Sequence, residues 1–202
     1  MRYFIILVII PALTNAICHI SPSLWCNTKE TALKCDVLKQ CSENVWNVDS
    51  NAPKVNVELY IESLCPDCRH LIATQLWPVW QSINEIMNLS IIPYGNAQEE
   101  NKGGNWIFHC QHGPEECLGN LIETCAIELM NDVNKWMPFI ACIEMSNVSP
   151  IQNAAKECAS KLRIENYAKI LNCSSGPMGN KLMHQNALRT DALNPPHQYV
   201  PW

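Results

Sequence analysis

The sequence predicts an α/β protein that contains a disulfide-rich helical region and is preceded by a small four-cysteine module. Three observations predict this fold class. A strand-like apolar run at Val55–Ile61 precedes a long helical pattern and a second strand-like run at residues 89–94. Six cysteines lie in or beside a helical stretch that follows, and four more crowd a short segment ahead of the first strand.

The N-terminus has the pattern of a secretory signal. A charged start is followed by an apolar stretch at residues 3–13 and by the small or compact residues Thr14, Asn15 and Ala16. The apolar stretch is too short to cross a bilayer, so residues 1–16 are predicted to be a cleaved signal peptide rather than an uncleaved anchor. No other segment is long and apolar enough to cross a membrane. We therefore expect the secretory pathway.

The cysteine content fits an oxidising compartment. The chain has 12 cysteines, an even number that suits oxidised pairs. Asn88 and Asn172 stand in glycosylation sequons, and Asn147 stands in a weaker one because Pro150 follows it. Secretion therefore agrees with both the cysteines and the sequons.

Charge and composition exclude one class of partner. The formal net charge is −5 and the chain has no basic run, which argues against nucleic acid. With 48% hydrophobic residues, the part after the signal can bury one core.

Residues 17–46 are predicted to form a miniature unit held by disulfides. So short a segment cannot build a core alone, and it contains Cys18, Cys26, Cys35 and Cys41. Residues 47–53 are rich in Asp, Ser, Asn and Pro, which predicts a linker. The main domain is therefore expected at residues 54–202.

This domain is expected to open with a β-α-β unit. Apolar residues step by three and four after the first strand, which is typical of a helix with one buried face, and Pro78 should kink that helix. A right-handed crossover would make the second strand, residues 89–94, parallel to the first. Residues 95–104 are polar and are expected to form a loop.

Cys65 and Cys68 form a C-x-x-C pair where the first strand meets this helix. In that context the pair indicates redox chemistry, although the same spacing occurs in zinc sites and ordinary disulfides. The helix start supplies positive potential that favours a thiolate on the first sulfur, even in acid. We therefore expect Cys65 to be the exposed nucleophile and Cys68, one turn in and partly covered, to resolve the mixed disulfide.

The rest of the domain is predicted to be mainly helical, over residues 115 to about 173 and again over 179–189. Six cysteines are expected to form three structural disulfides, in any of about 15 pairings: Cys110, Cys117, Cys125, Cys142, Cys158 and Cys173.

Several motifs resemble the gamma-interferon-inducible lysosomal thiol reductase family. The family signature is matched by Cys110-Gln111-His112-Gly113-x2-Glu116-Cys117-x2-Asn120-x4-Cys125. Shorter blocks resemble the family in the same order: Glu62-Ser63-Leu64-Cys65-x2-Cys68-Arg69, Pro93-Tyr94-Gly95-Asn96-Ala97, Leu182-Met183-His184, Arg189-Thr190-Asp191-Ala192-Leu193 and Pro195-Pro196-His197-x-Tyr199-Val200-Pro201-Trp202. The resemblance covers about residues 55–202. Residues 18–41 are similar to the saposin A-type module that some family members carry.

The resemblance implies a thioredoxin-like fold with a helical insertion at about residues 110–175. It implies reduction of protein disulfides in acidic endosomal or lysosomal compartments, or outside the cell, with a small thiol or a protein as electron donor. Val200 and Pro201 resemble a cis-proline loop that faces the redox pair and presents its backbone to the substrate chain. No cofactor is expected, and membrane or lipid contact is expected only through the N-terminal module.

The family resemblance also implies further strands and a helix after the Pro201-Trp202 pair. The next strand would pair with the first strand, so without it that strand is expected to have a bare edge and the chain to fold loosely. A fragment of a longer protein is the favoured interpretation.

Other functions compete with the reductase. The same fold could act as an oxidase or isomerase, since direction depends on reduction potential. The chain could instead be a non-catalytic secreted module that binds lipid or protein, with Cys65 and Cys68 as a staple. A zinc site at His109 or His112 beside Cys110 and Cys117 is not expected, because no second C-x2-C matches it. His112 is interpreted as a structural or substrate-facing residue.

Overall fold

The structure is a computed structural model that describes residues 18–46 and 53–202. The predicted signal peptide, residues 1–16, and nearly all of the predicted linker lie outside the described residues. The chain divides after Pro53 into two compact units, and each is described by itself.

The N-terminal unit is small and held by two disulfides, Cys18–Cys35 and Cys26–Cys41. Its helices are a 3-10 turn, two short α-helices and a π-helical turn: Pro22–Leu24, α1 (Lys29–Lys34), α2 (Leu38–Cys41) and Ser42–Trp46. The side chain of Thr28 caps α1 by accepting a hydrogen bond from the Thr31 N–H at 3.1 Å. Since few of its side chains are buried, the disulfides supply much of the constraint.

The second unit begins with two parallel strands, as the crossover argument predicted. Strand β1 (Val55–Ile61) pairs with β2 (Met87–Pro93) along its whole length, from Val55 opposite Met87 to Ile61 opposite Pro93. The connection contains α3 (Pro66–Leu71), a π-helical turn (Ile72–Leu76), α4 (Trp77–Ile83) and a short 3-10 turn (Asn84–Ile86). The β-α-β unit is therefore confirmed.

The crossover helix departs from regular α-helical geometry in the turn just before Pro78. Proline has no N–H to donate, and its ring crowds the carbonyl four residues earlier in a regular α-helix. Residues Ile72–Leu76 widen into a π-helical turn, and the Trp77 N–H donates to the Ile72 carbonyl five residues back. The expected disturbance at Pro78 therefore takes the form of a local π-helical turn.

Residues 98–109 form a β-hairpin, so the prediction of a loop over residues 95–104 is wrong for residues 98–102. Strand β3 (Gln98–Lys102) pairs antiparallel with β4 (Asn105–His109), and Gly103 and Gly104 between them have φ of +62° and +90°. The polar sequence of β3 concealed it, because the side-chain contact of Glu99 comes from His184, 85 residues along the chain. Glu99 bonds His184, whose ring stacks on Trp106 with centroids 3.8 Å apart.

Five further helices complete the unit. They are α5 (Pro114–Met130), α6 (Val133–Glu144), α7 (Ile151–Lys161), α8 (Tyr167–Ser174) and α9 (Pro177–Asp191). Three disulfides join the six cysteines of this region: Cys110–Cys117, Cys125–Cys173 and Cys142–Cys158. The predicted helical character of residues 115–173 and 179–189 is confirmed.

The strands and the helices share a core that lies directly under the C-x-x-C pair. Its members come from β1, β2, the crossover helix, α6 and the segment after α9: Leu59, Ile61, Cys65, Cys68, Ile72, Trp80, Met87, Leu89, Ile91, Trp136, Met137, Ile140, Ala141 and Val200. A second cluster, built on Ile122, Phe139 and Ile170, joins helices α5 to α8. Packed apolar side chains therefore hold Cys65 and Cys68 in position.

Residue Trp202 occupies part of the other edge of β1. Its N–H and carbonyl exchange hydrogen bonds with the carbonyl and N–H of Tyr60, at 3.1 and 3.0 Å. That edge of β1, expected to be bare, is thus paired at this one position. Within the residues that the structure describes, no helix combines the length and apolar character needed to cross a membrane.

Candidate active site

Cys65 and Cys68 stand where β1 passes into α3, and they are the free cysteines of the described residues. Cys65 has an extended conformation at the N-cap of α3, and Pro66 occupies the first turn, where its missing N–H costs nothing. The apolar end of β1 and the helix start place both sulfurs at one edge of the two-stranded sheet. The local sequence therefore accounts for the position of both sulfurs.

Both sulfurs are more buried than the sequence suggested. Cys65 is 7% exposed and Cys68 is fully buried. The prediction of an exposed first sulfur is therefore wrong in degree, because Val200 packs against Cys65 in the same core cluster. The order holds, however, since Cys65 remains the more accessible of the two.

Burial raises the pKa of the Cys68 thiol well above its ordinary value. The Glu62 N–H points at Cys68 Sγ from 3.5 Å and acts in the opposite direction, whereas the neighbouring Cys65 raises the pKa further. Cys68 is thus held as a thiol until a change at Cys65 or in its solvation favours ionisation.

Val200 and Pro201 lie against this pair. The Val200–Pro201 peptide is cis, and the Cys65 thiol donates to the Val200 carbonyl with sulfur and oxygen 3.9 Å apart. Residues 135 positions apart in sequence therefore meet at Cys65. The structure brings together Cys65, Cys68, Val200 and Pro201.

The signature residues of α5 hold the segment that leads into Cys65. Asn120 Oδ1 accepts a hydrogen bond from the Ser63 N–H at 2.9 Å, and Ser63 Oγ donates to the Glu116 carbonyl at 3.1 Å. Gly119 lies so close that a Cβ there would stand 2.2 Å from Ser63 Oγ. The absence of a side chain at Gly119 therefore allows α5 to approach the segment before Cys65.

Glu62 is a fully buried acid directly after β1. Its Oε1 accepts from the Asn96 N–H at 2.6 Å, and Gly95, with φ of +61°, leaves no room for a Cβ beside it. Its Oε2 faces His112 Nδ1 at 3.5 Å. Burial raises the pKa of Glu62, the Asn96 N–H lowers it, and Glu116 raises it again.

Two further buried acids, Glu123 and Glu144, lie near the redox pair. Glu123 and Glu144 are adjacent, and burial raises the pKa of each, that of Glu123 to about 7. Arg69 lowers both pKa values, although its guanidinium donates to the backbone carbonyls of Glu144 and Ser146. Proximity of the two acids means that they share a proton more readily than both ionise.

A cavity of about 640 Å³ opens beside the redox segment. Leu64, Arg69 and His70 line it from the start of the crossover helix, and the 145–149 segment lines the opposite wall. Asn147 belongs to that wall, so a glycan there would stand next to the cavity. The other two sequon residues are also exposed, and Asn88 Nδ2 donates to Asn56 Oδ1 across the strand pair.

Comparison with known proteins places the chain in a family. A family model described as "Gamma interferon inducible lysosomal thiol reductase (GILT)" matches residues 56–162, and one described as "Saposin A-type domain" matches residues 15–47. A Carassius auratus protein named "Gamma-interferon-inducible lysosomal thiol reductase" is 44% identical over 186 residues, which are 92% of this chain and 70% of that protein.

The chain belongs to the GILT family. The Mus musculus protein of the same name is 42% identical over 75% of this chain and 60% of its own length. An Arabidopsis thaliana "Gamma-interferon-responsive lysosomal thiol protein" is 34% identical over 87% of this chain and 70% of its own length. The matches therefore span about two thirds of the relatives, and the family resemblance is confirmed.

The sequence of this GILT family member did not reveal the buried acids around Cys65 and Cys68 or the contacts of α5 with Ser63. Glu62, Glu116 and Asn120 were recognised only as positions of the family motifs, and Gly119, Glu123 and Glu144 were not singled out. A signal was present, because Glu116 and Asn120 are spaced by four and share one face of α5, and His112 lies four residues before Glu116. What that face contacts could not be read, since Ser63 is 57 residues from Asn120.

Proposed function

We propose that the chain is a thiol-disulfide oxidoreductase that reduces protein disulfides in an acidic endosomal or lysosomal setting, or outside the cell. The observation that carries the proposal is the unpaired Cys65–Cys68 couple at a strand-to-helix junction, with the Val200 carbonyl against the first sulfur. The parallel strand pair, its crossover helix and the proline loop support a thioredoxin-like arrangement with an insertion at about residues 110–175. The reductase domain would then be residues 54–202.

The proposed reaction has two exchanges. The Cys65 thiolate attacks one sulfur of the substrate disulfide, forming a mixed disulfide and releasing the other sulfur as a thiolate that takes up a proton. Cys68 then loses its proton and attacks Cys65 Sγ, releasing the second substrate thiol and leaving a Cys65–Cys68 disulfide. An external thiol or dithiol must supply two electrons to restore the pair.

The surroundings of the pair support this division of roles. Cys65 is the more accessible sulfur, lies at the positive end of α3, and has Arg69 one turn away. Cys68 is fully buried, so a bulky substrate disulfide cannot reach it before Cys65 has reacted. Val200 and Pro201 present backbone beside Cys65, which suits an extended substrate segment.

Compartment and substrate class are supported by the relatives. The Carassius auratus and Mus musculus proteins are named lysosomal thiol reductases. We extend both terms to this chain, because its cysteine usage and sequons suit the secretory pathway. Disulfide-bonded proteins are the proposed substrates.

The test is reduction of insulin disulfides by the full chain with a small thiol as donor, at pH about 4.5 and about 7. We expect catalysed reduction by the wild-type protein and loss of at least about 100-fold in rate with Cys65→Ser, since the remaining free sulfur, that of Cys68, is fully buried. Cys110→Ser is not a suitable control, because it breaks a structural disulfide. His109→Gln, on an exposed side chain, is the matched one. Retention of most activity by Cys65→Ser would overturn the proposal.

A second role, for the N-terminal unit, is favoured by its surface. Four large apolar side chains are exposed there, although burying them would be favourable: Leu24, Leu33 (68% exposed), Leu38 and Val45. We propose that residues 17–46 form a saposin A-type module and that any lipid contact is made through it. Vesicle co-sedimentation of the wild-type protein and of Leu33→Ser tests this, with loss of binding in the variant as the expected result.

A further inference from the structure

Three potential metal ligands converge next to the redox segment. Glu62 follows β1, His112 precedes α5, and Glu116 lies in the first turn of α5. One nitrogen or oxygen atom from each lies within 4.8 Å of the others. We propose that Glu62, His112 and Glu116 form a binding site for a divalent transition-metal ion such as Zn²⁺.

The two carboxylates are oriented by the backbone. Glu62 Oε1 accepts from the Asn96 N–H at 2.6 Å, and Glu116 Oε1 accepts from the His112 N–H at 2.9 Å. These bonds leave Oε2 of each acid directed at His112 Nδ1, at 3.5 Å for Glu62 and 2.5 Å for Glu116. Each acid therefore offers one fixed and one available oxygen, which is how outer hydrogen bonds orient metal ligands.

Charge gives an independent reason for a cation. The side chains of Glu62 and Glu116 are both fully buried, and Glu62 Oε2 has no hydrogen-bond partner. Among the described residues, His112 is the one basic side chain within ion-pair distance of either acid. A proton on His112 offsets one negative charge, whereas a divalent ion offsets two buried charges and gives Glu62 Oε2 a partner.

The ligand set selects the class of ion. Imidazole with carboxylate oxygens suits zinc and other first-row transition metals, whereas magnesium and calcium prefer oxygen alone. Bonds of about 2.0–2.2 Å to one ion require the His112 ring and Glu116 Oε2 to separate slightly from their present hydrogen bond. His112 has room for this because its side chain is 33% exposed, and that exposed side also provides an entry path.

A bound ion would join two separate segments beside the redox site. Glu62 lies at the end of β1 and its N–H faces Cys68 Sγ, while His112 and Glu116 belong to the helical region. The site lies outside the sulfur exchange itself, so it adds to the proposed reductase chemistry without taking part in it. Stabilisation of the fold is the direct consequence, because the ion binds the native arrangement.

The test is calorimetric titration of the full chain with ZnCl₂ at pH about 7. Cys65 and Cys68 are first oxidised to a disulfide, so that the redox sulfurs cannot chelate the ion. We expect one ion per chain, and a loss of at least about tenfold in affinity with His112→Gln. His109→Gln, whose exposed side chain contacts Glu100, should bind as wild type does. Thermal melts of each variant show that it is folded.

Co²⁺ provides a measurement that does not depend on any variant. A site of one imidazole and two carboxylates gives a cobalt spectrum without the intense sulfur-to-metal bands of thiolate ligands. The proposal is overturned if the oxidised wild-type protein binds neither ion, if His112→Gln binds as tightly as His109→Gln, or if the cobalt spectrum shows sulfur ligation. In the first outcome the contacts of His112 with its two acids are structural only.

Discussion

Asn120 accepts a hydrogen bond from the Ser63 N–H at 2.9 Å, so the family signature on α5 is fastened directly to the segment that enters Cys65. Gln111 extends the same contact surface by bonding Asn96 at 2.9 Å. The cysteines of the signature are in disulfides, and its polar residues contact the loops after β1 and β2. The signature is therefore a clamp on the loops that surround the redox pair.

Asn120→Ala should destabilise the protein. The change leaves the buried Ser63 N–H without its acceptor, which costs about 1–3 kcal/mol in the free energy of unfolding. Urea unfolding measures it. Asn153→Ala, at an exposed position on α7, is the matched control and should change stability by less than about 0.5 kcal/mol. Equal effects of the two substitutions would show that the clamp does not contribute.

Gly119→Ala should also destabilise, although alanine favours helices. The added Cβ would stand 2.2 Å from Ser63 Oγ, and relieving such an overlap typically costs about 1–3 kcal/mol. Ser63→Ala removes that oxygen, so the double variant should be more stable than the sum of the single changes predicts. The coupling energy from a double-mutant cycle is the measurement. A coupling near zero would contradict the close approach of α5.

Cys68→Ser should trap a covalent complex. Without the second sulfur the mixed disulfide between Cys65 and substrate is not resolved internally, so it accumulates. Non-reducing electrophoresis and mass spectrometry after mixing with a disulfide-bonded protein detect it. Cys65→Ser is the matched variant and should form none, because Cys68 is fully buried. Trapping by Cys65→Ser alone would reverse the assigned roles.

Stability should decrease as pH rises from about 4 to about 7, through the Glu123–Glu144 pair. Burial raises the pKa of Glu123 to about 7 and that of Glu144 above its ordinary value, while in the unfolded chain both titrate near about 4.3. The folded state therefore retains protons that the unfolded state releases, and the unfolding free energy falls as pH rises through this window. Once the pH exceeds the pKa values of the two acids in the folded state, their contribution to the free energy of unfolding is fully lost.

Glu123→Gln checks this dependence. Between pH about 4 and about 7, the free energy of unfolding should fall by on the order of 2 kcal/mol less in the variant than in the wild type. Glu128→Gln, on the exposed face of the same helix, should retain the wild-type slope. Urea unfolding at a series of pH values gives both slopes. Parallel slopes for wild type and Glu123→Gln would show that the pair is not protonated in the folded state.

The sequence by itself determined the family, the α/β mixture and the parallel β1–β2 unit. These features depend on local periodicity and on motif spacing, which short stretches of chain carry completely. Apolar and polar side chains alternate over most of Val55–Ile61, as is typical of a strand. After Cys65 the apolar residues recur every three or four positions, as is typical of a helix. The C-x-x-C pair was visible for the same reason, since its two cysteines are one helical turn apart.

Tertiary structure alone decided what surrounds that pair. Strand β3 is polar in sequence, and Glu99 on it bonds His184 on α9, 85 residues away. Cys65 was expected to be exposed, but Val200 packs against it and covers it. The grouping of Glu62 with His112 and Glu116 depends on how α5 meets the segment after β1, and that of Glu123 with Glu144 depends on how α5 packs against α6. Long-range packing sets burial, and burial sets the protonation of acids and thiols.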